Sequence, residues 1–125
     1  MVLKVGLDNF DSEVLQEKMH VLLAYIHWGS ELKDQTEALE SVLKGCGEAL
    51  KVCLVDEDSS EALREKLGVK GTPTFLMLDK GEEKDRMLGQ ADRKTLMSFV
   101  MRNLPQIRNQ VSTRREPYRK IGEGR

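Results

Sequence analysis

Two cysteines in 125 residues, Cys46 and Cys53, are too few for a disulfide framework. No apolar run approaches the ~18 residues that a membrane span requires, so no membrane association is expected. The opening Met1-Val2-Leu3-Lys4-Val5-Gly6 lacks the charged start and long apolar stretch of a signal peptide. A cytoplasmic protein is therefore the expectation, if Met1 is the native start. A net charge of -1 gives the whole chain no preference for polyanions, and nucleic acid is not an expected partner. His20 and His27 stand apart from any cysteine or carboxylate at metal-ligand spacing, so neither a metal nor another cofactor is expected. The glycines of Gly45-Cys46-Gly47 read as a loop rather than a phosphate cradle. Internal repeats are absent too.

What is present fits one compact domain, with 39% hydrophobic and 33% charged residues. Val21-Leu22-Leu23-Ala24-Tyr25-Ile26 is a continuous apolar run, as in a central strand covered on both faces. A helix follows, with Leu32, Leu39, Val42 and Leu43 on one side and Ser30 as its cap. Leu50 to Val55 reads as a second buried strand. Asp58, with Glu61 three residues on, has the pattern of a capping box that opens a short helix ending near Gly68. Thr74 to Leu78 forms a third strand, and Asp79-Lys80-Gly81-Glu82 turns it back into Lys84 to Leu88 as a hairpin. Asp92 caps a last helix carrying Leu96, Phe99 and Val100. A strand from Leu3 to Leu7 and a helix near Asp11 to Lys18 complete the front.

The order β-α-β-α-β-α-β-β-α predicts a mixed α/β sheet with helices on both faces. Residues 1–105 make the domain, and 106–125 a basic C-terminal extension. That extension holds six basic and two acidic residues, a net of +4, which leaves -5 for residues 1–105. Met97, Met101 and Leu104 add a second apolar stripe to the last helix, explained either by core packing or by something that covers it.

Gly71-Thr72-Pro73-Thr74-Phe75, entering a strand, resembles thioredoxin, as does Ala24-Tyr25-Ile26-His27-Trp28 at the end of the first long strand. Val55-Asp56-Glu57-Asp58 and Leu88-Gly89-Gln90 extend the likeness, and from Trp28 to Gly89 it needs no insertion or deletion. The resemblance implies the thioredoxin fold, a cis peptide bond before Pro73, and a peptide-binding groove at Trp28, Thr72, Pro73, Leu88 and Gly89.

It also locates a loss. The two redox cysteine positions that follow the tryptophan hold Gly29 and Leu32. Thiol–disulfide exchange needs a low-pKa thiolate and a second thiol to resolve the mixed disulfide, and these residues supply neither. The family's buried aspartate and lysine fall on Leu23 and Leu54, so no charge is stranded in the core. Ser30 reads as a helix cap with no base beside it, rather than as a nucleophile.

The expectation is a redox-inactive binding or assembly module that holds a protein or extended peptide in the former substrate groove, and not an enzyme of the disulfide-reductase type. Two alternatives stay open. One is unconventional thiol chemistry at Cys46 or Cys53, where the plain reading is a buried Cys53 and a semi-exposed loop thiol at Cys46. The other is a structural subunit that binds through its last helix and tail. The oligomeric state is open as well.

Overall fold

The computed structural model describes residues 1–27, 29 and 32–104. Ser30, expected as a helix cap, and the basic extension both lie outside the described residues. Five strands form one sheet: β1 (Leu3–Val5), β2 (His20–Tyr25), β3 (Leu50–Val55), β4 (Thr74–Asp79) and β5 (Glu82–Leu88). Their order across the sheet is β1-β3-β2-β4-β5. β3 runs parallel to β1 and β2, while β4 is antiparallel to both β2 and β5. The helices are α1 (Leu32–Cys46), α2 (Ser60–Leu67) and α3 (Arg93–Met101).

The apolar runs of β2 and β3 are continuous because helices cover both faces of the sheet. On one face Leu22, Ala24, Val52, Leu54, Phe75 and Met77 pack with Leu39 and Val42 of α1 and with Leu96, Phe99 and Val100 of α3. On the other, Val21, Leu23, Tyr25, Cys53, Val55 and Leu76 pack with Phe10, Val14 and Leu63. Period-two alternation along each strand sorts the side chains between the two layers.

The first helix is shorter than the sequence predicts. Instead of Asp11 to Lys18 there is one wide π-helical turn, Asp11–Leu15. The Glu17 carboxylate accepts from the amides of Lys18 and Met19 at 2.9 and 3.2 Å, which ends the helical pattern there. The same carboxylate reaches Lys51 Nζ at 2.9 Å, and Glu13 meets that ammonium at 2.6 Å. This cluster fastens the turn to β3.

The expected capping box at Asp58 is not formed. Glu57–Ser59 make a 3-10 turn and α2 begins after Ser59. Glu61 is paired with Arg64 at 2.7 Å instead of reaching back, and the Ser59 hydroxyl accepts from the Leu7 amide at 3.1 Å. The far end is as expected, with Gly68 in the left-handed region at φ 66°. Arg86 of β5 then donates to the carbonyls of Leu67 and Gly68 at 2.6 and 3.0 Å, tying the hairpin to α2.

The hairpin turn is the two residues Lys80 and Gly81, both with positive φ, as a type I′ turn requires. A Cβ on Gly81 would also lie 2.5 Å from the Leu15 carbonyl oxygen, so glycine is needed twice over. At α3, Asp92 caps as predicted, accepting from the Thr95 amide at 2.8 Å.

Candidate functional site

The site lies where the end of β2, the start of β4 and the end of β5 form one row. Tyr25 is opposite Thr74, and Thr74 is opposite Leu88. The Thr72–Pro73 peptide bond is cis. The Thr74 hydroxyl donates to the Gly71 carbonyl at 2.7 Å, and the Gly89 amide donates to the Pro73 carbonyl at 2.9 Å. Gly89, at φ 116°, takes a backbone shape that side-chain-bearing residues rarely adopt.

Four of the five expected groove residues therefore come together: Thr72, Pro73, Leu88 and Gly89. The fifth, Trp28, lies outside the described residues. Their exposure differs in a useful way. Thr72 is exposed and Pro73 is buried. Leu88 is 65% exposed, one of few large apolar side chains left to solvent. Its side chain lies over Gly71, where an added Cβ would come within 3.2 Å of it.

Beside Thr72 opens a cleft of about 460 Å³ between Tyr25, Ile26, His27, the start of α2 and the Lys70–Thr72 loop. Glu57, Glu61, Arg64 and Lys70 line it with both signs of charge. This cleft is not legible from sequence, because its walls come from three separate segments.

Gly29 is exposed and Leu32 half-buried at the start of α1, with the Leu32 amide donating to the Gly29 carbonyl at 3.2 Å. Neither carries a group that can attack or release a disulfide. Leu23 and Leu54 are both buried, but on opposite faces of the sheet. Each fills apolar core on its own side.

The cysteine expectation needs one correction. Cys46 is not a semi-exposed loop thiol: it is the last residue of α1, 9% exposed, with Sγ 3.9 Å from Met97 Sδ. The helix runs two residues further than the Gly-Cys-Gly spacing implies, through Gly45 and Cys46, with the thiol against Met97 of α3. Met97 is accounted for by the same contact, as core packing. Cys53 is fully buried in the layer on the other side of the sheet. With the sheet between them the two thiols cannot bridge, and both are free. Burial raises the Cys46 thiol pKa and pushes that of Cys53 up to about 11. At pH 7 that leaves about one Cys53 thiolate in ten thousand, the reverse of an activated nucleophile.

A mixed sheet with this strand order, a cis-proline loop and a β5–α3 loop bonded to it define a thioredoxin-type domain. The family model described as Thioredoxin matches residues 1–102, and the chain belongs to the thioredoxin family. The thioredoxin of Rickettsia bellii is 26% identical over 97 residues, covering 77% of this chain and 92% of that protein. The thioredoxin of Pseudomonas aeruginosa is 27% identical over 97 residues, covering 77% and 90%. Protein disulfide isomerase-like 2-2 of Oryza sativa subsp. japonica is 36% identical over 86 residues, covering 66% of this chain but 23% of that protein. Among the described residues no helix is long and apolar enough to cross a membrane.

Proposed function

We propose that this chain is a thioredoxin-family member without disulfide-exchange activity, a binding or assembly module that holds an extended peptide or protein segment along the Thr72–Pro73 loop. The observation that carries this reading is an asymmetry within one site. The chemical half has gone: Gly29 and Leu32 stand at the cysteine positions, and the remaining thiols are buried on opposite sides of the sheet. What supports the recognition half is that Thr72 and Leu88 are exposed near buried Pro73. An extended partner can pair with backbone at such an edge, while exposed apolar groups supply an anchor.

The relatives, thioredoxins and a disulfide isomerase by name, favour redox chemistry. Against them stands the absence of any accessible thiol among the described residues, which also weighs against the alternative of unconventional chemistry at Cys46 or Cys53. A structural subunit binding through α3 and the tail is the remaining reading, and the packing of half-buried Met97 against Cys46 of α1 accounts for part of the second apolar stripe that favoured it.

The test is binding of fluorescein-labelled α-lactalbumin that has been reduced and carboxymethylated, an unfolded probe with no thiol to exchange. Anisotropy should show saturable binding by the wild type. Leu88→Ser, at an exposed position, should weaken it about fivefold, the scale of one lost anchor of roughly 1 kcal/mol. Binding unchanged in Leu88→Ser, or no binding by the wild type, would contradict the reading.

A further inference from the structure

Gln35 occupies a position on α1 where the spacing of Leu32, Leu39 and Val42 calls for an apolar side chain. It is 5% exposed, one of only two buried polar residues among those described. A carboxamide left unpaired there would be costly, and it is not left unpaired. Its Nε2 donates to the Ala91 carbonyl at 3.3 Å, and the Ala91 amide donates to its Oε1 at 3.3 Å. One side chain thus satisfies both backbone groups of a residue that is itself 4% exposed.

Ala91 belongs to the loop between β5 and α3, which begins at Gly89, directly after Leu88 at the end of β5. The Gly89 amide donates to the Pro73 carbonyl and the Asp92 carboxylate accepts from the Thr95 amide at the two ends of that loop. Without Gln35, Ala91 would lose both of its bonds to α1. The length of both contacts, near the long end for N–H···O, makes their reciprocity matter more than either bond alone.

We propose that Gln35 is the positioning residue of the groove: its reciprocal pair with Ala91 locks the β5–α3 loop to α1, so that the Leu88–Gly89 wall is set before a partner arrives. The inference rests on the reading of the groove as a peptide site and adds how that site is kept ready. A wall already in place removes the ordering cost that binding would otherwise bear. Helix α1 presents no thiol here and serves as the anchor for the groove.

The test is Gln35→Met, which keeps length and apolar fill but makes neither bond. Native-state amide exchange should accelerate at least tenfold at Ala91 and Gly89, with the strand amides of Leu23 and Val52 keeping their protection. Affinity for the carboxymethylated α-lactalbumin probe should fall at least threefold. Unchanged exchange at Ala91 and Gly89 would overturn the proposal. So would loss of protection at Leu23 and Val52 as well, because Gln35 would then support the fold in general. If Leu88→Ser weakens probe binding and Gln35→Met does not, the positioning role fails while the groove stands. A wild type that does not bind the probe instead removes the groove reading, and with it Gln35's part in binding.

Discussion

At the scale of single residues, the chemistry of this protein is decided by where its sulfur sits. A thioredoxin-type reaction needs a thiolate at the start of α1, and Gly29 and Leu32 occupy the two relevant places. The sequence made that loss legible, because Trp28 and the Thr72-Pro73-Thr74 motif set the frame in which the two positions are counted. It also placed Cys53 correctly, since strand alternation alone separates it from Leu54. It did not place Cys46, because Gly45 and Gly47 read as a loop although α1 continues through Gly45. Nor did it reveal that Gln35 is buried, although a polar residue on the apolar face of α1 was a visible signal. The thiol environments lead to a direct expectation. Burial holds both thiols above their ordinary pKa, with Cys53 at about 11, so neither is ionised near neutrality. Native protein at pH 7.5 should be alkylated by iodoacetamide at both sites at least a hundredfold more slowly than urea-unfolded protein. Mass spectrometry of the time course reads this, and rapid labelling of either cysteine in the native state would contradict the burial.

At the scale of elements, the periodic and capped segments were readable and the irregular ones were not. The continuous runs of β2 and β3, the Lys80-Gly81 turn and the Asp92 cap each follow from local rules that nothing in the fold opposes. The turn at Asp11–Leu15 and the start of α2 departed from expectation where side chains took partners that local patterning does not show. Glu17 and Glu13 are drawn to Lys51, and Ser59 to the Leu7 amide. The Lys51 cluster carries a pH dependence of known sign. Burial opposes the charge on Lys51, but the hydrogen bonds to Glu13 and Glu17 outweigh it and its pKa is raised. The hydrogen bond from Lys51, aided by the Met19 amide, lowers the pKa of Glu17. A carboxyl depressed in the folded state stabilises the fold above its unfolded value of about 4.3 and loses that contribution as the pH falls through the folded one. Urea midpoints measured from pH 5.5 to 2.5 should therefore fall more steeply in the wild type than in Lys51→Met, which removes the partner. Parallel slopes would show that the cluster contributes nothing to acid sensitivity.

At the scale of the whole molecule, the proposed function differs from the chemistry the family's names suggest. The sheet order, the two core layers and the cis-proline loop are those of the thioredoxin family, while the part of the site that would perform the family's chemistry has become helix start and core. Fold class was legible because hydrophobic patterning and a short motif agree with each other across most of the chain. The charged cleft beside Thr72 and the Gln35–Ala91 pair were not, because both depend on contacts between segments far apart in sequence. The central claim is that a thioredoxin domain here binds without exchanging disulfides. Reduction of insulin by dithiothreitol, followed by turbidity with an active thioredoxin and a protein-free blank alongside, tests it most directly. The account predicts a rate equal to the blank. Acceleration above the blank that disappears in Cys46→Ser or Cys53→Ser would contradict it.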